Sequence, residues 1–168
     1  MSILKVDQIQ DTAGKKILQN TGSVLQVVQG TIKTDNFSLT SATFTDSGLE
    51  VSITPTSTSS KILVQFTGSI RVYNTSGGNA YSYWRIYRKI GSGSYARLNL
   101  HQFTHRSYDY GNSGSISDVP MHCQYLDDPS TTSAVSYKLY AYLGGGSQLE
   151  MNPDGSDESY AFAMEIAQ

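Results

Sequence analysis

Cysteine is nearly missing from this chain of 168 residues, where Cys123 stands alone. One thiol forms no intrachain disulfide, which excludes a small secreted scaffold held by cross-links. Cys123 is expected to be a small core residue instead. Charge is scarce too. Charged residues make up 15% of the chain, against about 25% in ordinary soluble domains, and the formal net charge is -2. Without a basic field the chain has no electrostatic footprint for nucleic acid. No apolar run approaches the roughly 18 residues of a membrane-spanning helix, so no membrane insertion is expected. Residues Met1 to Asp7 lack a basic segment followed by an apolar stretch, so no secretory leader is expected either. There is one Trp and there are five Phe, but 12 Tyr. Together with abundant Ser, Thr, Gly and Asn, these amphipathic rings suit recognition and interfaces more than plain solvation.

Convincing helical periodicity is also lacking. From Lys61 to Tyr73 the residues Ile62, Val64, Phe66, Ile70 and Val72 share one parity, with Gly68 in their row. Lys61, Gln65, Thr67, Ser69 and Arg71 share the other, with Leu63 and Tyr73 as exceptions on that outer face. Strand side chains alternate between faces, so this run predicts a long strand with one face in a core. The Ser/Thr/Pro-rich lead-in from Thr54 to Ser60 suits a chain rounding an edge before it enters that strand. The pattern recurs at Trp84, Ile86 and Ile90 and at Val135, Tyr137, Leu139, Ala141 and Leu143. It is expected again in the last strand, with Tyr160, Phe162, Met164 and Ile166 pointing inward. Phe37, Leu39 and Phe44 are expected to anchor a polar early passage. Tyr95 to Phe103 reads as a strand, and His105 to Ser115 as the longest irregular passage. Eight to ten strands separated by turn signals predict an all-β protein, an antiparallel β-sandwich or jelly roll.

Residues 1–22 behave differently. Ile3, Leu4, Val6, Ile9, Ile17 and Leu18 are too few to bury one another, so this segment is expected to be a docking arm or stalk that leans on another surface. Residues 23–168 form the head.

Catalytic and metal signatures are not met. His101 and His105 lie four apart, but Gln102 stands where a zinc protease has Glu, and the surroundings read as strand and loop. Asp154, Asp157 and Glu158 crowd a turn without the spacing of a calcium loop. There is no Gly-x-Ser-x-Gly elbow, and no motif nominates a pair of carboxylates among the 14 acidic residues. The expectation is a non-enzyme with no cofactor and no metal.

Two features remain. Tyr81, Tyr83 and Tyr87 on one strand and Tyr140 and Tyr142 on another share the outer parity, and they form either an oligomer interface or cross-strand ring pairs lying on the sheet. The passage from Phe103 to Ser115 contains His105, Arg106, Tyr108, Tyr110 and Asn112, which suit an adaptable, sugar-stacking surface or a solvated loop.

The opening Ser2-Ile3-Leu4-Lys5-Val6-Asp7-Gln8-Ile9-Gln10-Asp11-Thr12-Ala13-Gly14 resembles an N-terminal segment of tail-fibre-like virion proteins of bacteriophages, cyanophages and marine phages especially. The stretch Val51 to Ile70 resembles the approach to the long central strand in the heads of such proteins. Tyr83 to Arg88 and Tyr137 to Tyr140 are similar to the paired strands that follow there. The resemblance implies a phage virion surface protein with a homotrimeric jelly-roll head, similar in architecture to C1q and tumour-necrosis-factor heads. Its arm would hold another virion protein, and a fibre or spike that serves as an adhesin would bind host cell-surface glycan through Tyr108, Tyr110 or nearby residues. The shortness of the arm keeps a second class open, a capsid decoration protein that stabilises the head shell.

Overall fold

The structure, a computed structural model, describes residues 21–75, 78–98, 103–109, 115–155 and 157–168. The arm residues Ile3, Leu4, Val6, Ile9, Ile17 and Leu18 lie outside them, as do Tyr110 and Asn112. Eleven strands are seen among the described residues: β1 (Val24–Lys33), β2 (Phe37–Leu39), β3 (Thr45–Ile53), β4 (Lys61–Asn74), β5 (Gly78–Ile90), β6 (Ala96–Arg97), β7 (Phe103–Asp109), β8 (Ser115–Asp127), β9 (Val135–Gly145), β10 (Gln148–Met151) and β11 (Ser159–Ile166). All their pairings are antiparallel, in two sheets. The protein is an antiparallel β-sandwich of the jelly-roll kind.

The alternating run from Lys61 forms the axis of the first sheet. One edge of β4 pairs with β8 along its whole length, and the other pairs first with β11 and then with β10. Strand β1 extends the sheet beyond β11, and β2 extends it beyond β10. In the second sheet β5 plays the same part, with β9 on one side and β7 and β6 end to end on the other, while β3 lies beyond β9. Ile62, Val64, Phe66, Ile70 and Val72 point inward as their parity predicts, and meet Trp84, Ile86, Tyr137 and Leu139 from the facing sheet. Cys123 is buried among them, and burial pushes its thiol well above the usual range.

Three elements depart from expectation. In β11 it is Ala161, Ala163 and Glu165 that are buried, while Tyr160, Phe162, Met164 and Ile166 lie half-buried on the outside. This strand approaches β3 of the facing sheet, and Trp84 and Tyr137 already supply large volumes from that sheet, so alanine fits where a ring would overpack. Glu165 is tolerated inside because its carboxylate accepts bonds from Gln26 Nε2 at 2.6 Å and from Thr56 N and Oγ1 at 2.7 Å each. The Ser/Thr/Pro lead-in is thereby pinned to the last strand.

The second departure is at residues 95–109. Among the described residues of the expected strand from Tyr95 to Phe103, Ala96–Arg97 is strand β6 and Phe103 opens β7, and part of the expected loop belongs to β7, which occupies the half of the β5 edge that β6 leaves free. Its polar residues hid it, because an edge strand with one exposed face needs few apolar side chains. The third is Phe44, which lies on the outside of the second sheet beneath Arg85, while Leu39 is buried and Phe37 packs at the core margin.

Candidate functional site

The outer face of the second sheet gathers the tyrosines. Tyr83 pairs with Tyr142 across β5 and β9, and Arg85 pairs with Tyr140, so alternation brings these side chains to one surface. Tyr81 and Tyr83 have ring centroids 5.3 Å apart, Tyr83 and Tyr142 5.7 Å, and Tyr142 and Phe44 5.0 Å. The Arg85 guanidinium lies 4.0 Å above the Phe44 ring, within cation–π range. Tyr87 and Tyr140 form a second pair at 4.1 Å. All five expected tyrosines are therefore on one face, lying against one another as cross-strand and neighbouring rings.

Tyr81 is seated by the sequence of β9. A Cβ at Gly144 would come within 2.1 Å of the Tyr81 ring, and one at Gly145 within 2.6 Å. Two glycines at the end of the strand let the ring lie directly on the backbone.

Charge borders the aromatic row. Lys138 Nζ sits 2.6 Å from Asp46 Oδ2 and 3.5 Å from Glu50 Oε2. The Tyr95 hydroxyl donates to Glu50 Oε1 at 2.5 Å, and the ammonium groups of Lys89 and Lys138 stand 4.9 and 5.1 Å from its ring. Burial, followed by the Glu50 hydrogen bond, pushes the Tyr95 phenol up to about 12. Phe44, Arg85 and Tyr95 complete this surface and were missed from sequence. Only the odd parity of Arg85 alongside Tyr83 and Tyr87 signalled any of them.

The structure separates the other candidates. His105 pairs with Ser82 on the inner side of β7, whereas Arg106 pairs with Tyr81 on the outer side, its guanidinium 5.8 Å from that ring. Tyr108 pairs with Asn79 at the far end of the strand. His105 lines a cleft of about 300 Å3 between the edge strands β7 and β8, with Trp84, Phe103, Met121 and His122. Burial lowers its imidazole below the usual value. Arg106 thus belongs to the aromatic face and His105 to the gap between the sheets.

No protein-family model matches the sequence, and no curated protein matches it. Among solved structures, the chain is similar to the VP2 subviral particle of infectious bursal disease virus, at 15% identity and a TM-score of 0.37 over 98% of this chain and 38% of that one. It is also similar to the CBM22-1 xylan-binding domain of Xyn10C from Paenibacillus barcinonensis, at 12% identity and a TM-score of 0.35 over 88% of this chain and 97% of that one. The chain thus spans well under half the length of the viral protein, and likenesses of this degree carry no functional inference.

Proposed function

We propose that the chain is a non-enzymatic virion structural protein of a phage, a homotrimeric β-sandwich head on the particle surface that binds host-surface glycan. Residues 1–22 are the arm that holds another virion protein. The single observation that carries the glycan reading is the aromatic face formed by Tyr81, Tyr83, Tyr142 and Phe44, bordered by Arg85, Arg106, Lys138, Asp46 and Glu50. Flat half-exposed rings stack against the C–H faces of sugars, and adjacent ionised groups hydrogen-bond their hydroxyls. The resemblance of Ser2 to Gly14 to virion segments supports the placement on a particle.

The test is binding of the recombinant full-length chain to immobilised polysaccharide from the host surface. Tyr83→Ala combined with Tyr142→Ala is expected to weaken it roughly tenfold or more. Undiminished binding would remove the aromatic face from the reading. Shortening of the polymer on prolonged incubation would overturn the non-enzymatic assignment. Quantitative mass spectrometry of purified particles, calibrated against the major capsid protein, separates a fibre or spike, at a few to a few tens of copies, from the alternative of a decoration protein, at hundreds.

A further inference from the structure

Among the described residues the exposed large apolar side chains are Val24, Val27, Ile32, Ile116 and Leu126. All five lie on the outer face of the first sheet. Register makes this explicit: Val27 pairs with Met164, Met164 with Leu63, and Leu63 with Leu126. Directly paired residues share a face, so one apolar row crosses β1, β11, β4 and β8 from edge to edge. Val24 and Ile166 pair on one flank of that row, and Phe162 stands between Gln29 and Gln65 on the other. Val27 and Leu126, at the two ends, are 58% and 50% exposed.

Charge avoids this part of the sheet. Between Lys61 and Arg71 the outward residues of β4 are Leu63, Gln65, Thr67 and Ser69, and the partners of the last three on β8 are Gln124, His122 and Pro120. Arg71 marks the far limit and is already engaged with Asp118 and Asp154. The second sheet presents the opposite character, with its rings mutually stacked and its charges paired.

We infer that this apolar face is where copies of the chain associate, and that its occupant is a second copy of the same chain. The inference rests on the reading of a self-associating head and names the surface that does it. The whole outer face of these four strands, 10, 8, 14 and 13 residues long, at about 3.4 Å per residue and about 4.8 Å apart, spans roughly 700 Å2, most of it on the uncharged side of Arg71. A standard interface takes about 800 Å2 from each partner. An apolar centre with few charges is what the buried middle of a homo-oligomer interface has. Gly22 N donates to Ala167 O at 2.7 Å, and Ala167 N donates to Ser23 O at 2.9 Å. These bonds fix the start of the described head at the Val24–Ile166 rim of this face.

The test compares the wild-type full-length chain with Val27→Lys/Leu126→Lys and with Tyr83→Ser/Tyr142→Ser by light scattering, with circular dichroism and thermal melting as folding controls. The expected result is an oligomeric wild type, a monomeric double-lysine variant with an unchanged circular-dichroism spectrum and a melt that stays cooperative but no longer depends on concentration, and an oligomeric tyrosine variant. An oligomeric double-lysine variant overturns the assignment of the face while self-association stands, and a monomeric tyrosine variant would move the interface to the other sheet. A monomeric wild type at high concentration ends the self-association reading itself. Leu126→Cys supplies an independent readout, because the buried Cys123 stays silent. Its labelling by a maleimide is expected to be slowed severalfold on the oligomer and restored when Val27→Lys is added. Protection that persists in a monomer would identify the chain's own arm as the occupant and overturn the proposal.

Discussion

The Tyr137 hydroxyl donates to the Asp127 carboxylate at 2.8 Å, and this bond runs between the two sheets, from β9 to β8. Arg88 of β5 donates to the same carboxylate, with Nη1 2.8 Å from Oδ1. Asp127 is buried, so both partners hold it in place of water. Asp127→Ala is expected to cost about 3 kcal/mol, because it leaves a guanidinium and a phenol without their acceptor. Tyr137→Phe retains the ion pair and is expected to cost about 1 kcal/mol. Urea unfolding measures both, and equal losses would show that the phenol, not the ion pair, holds the sheets together.

Glu165 links acidity to stability. Burial raises its carboxyl, but the bonds from Gln26 and Thr56 outweigh that and leave it below the usual 4.5. A carboxyl depressed by folding contributes stability above its unfolded value, and the contribution is lost as pH falls through the folded value. The melting temperature is therefore expected to drop below about pH 4.5, with a shallower drop in Glu165→Gln. Parallel pH profiles for the two chains would assign the acid sensitivity elsewhere.

Tyr95 acts at the other end of the scale. Burial, and after it the bond to Glu50, pushes its phenol up from the ordinary 10.0 to about 12. A raised acid favours the folded state below the unfolded value, and that advantage is lost as pH climbs from 10 toward 12. Tyrosinate absorbance is expected to show a late-titrating ring that Tyr95→Phe removes. A wild-type titration curve already complete near 10 would contradict the bond to Glu50.

Gly68 marks where the central strand meets a polar knot. A Cβ there would stand 1.9 Å from Ser159 Oγ, which donates to Asn152 Oδ1 at 2.7 Å. Asn152 in turn donates to Lys33 O at 2.7 Å. Gly68→Ala is expected to cost about 2 kcal/mol by forcing this contact apart. Adding Ser159→Gly should recover part of the loss in a double-mutant cycle, and strict additivity would place the strain elsewhere.

Alternation made much of the sandwich legible. The inward row from Ile62 to Val72, the row from Val135 to Leu143 and the outward tyrosines of β5 and β9 stand where their parity puts them. Parity failed for β11, where hydrophobicity pointed to Tyr160, Phe162, Met164 and Ile166 but the core has room only for Ala161 and Ala163 and bonds for Glu165. It also divided His105 from Arg106, which composition had grouped into one surface.

The sequence by itself determined the all-β class, the central strand and which residues of β4 and β9 share a face, because side-chain direction along an unbroken strand is a local property with period two, whereas the bulges that bring Val24, Val27 and Ile32 of β1 to one side leave no such mark. Only the tertiary structure decided which face of β11 turns inward and which strands lie side by side. Val27, Leu63, Leu126 and Met164 come from four distant segments, and nothing local to any of them records the others. Their row exists because pairing register is set by the packing of the whole sandwich, and a slip of one residue would turn each strand's side chains to the opposite face.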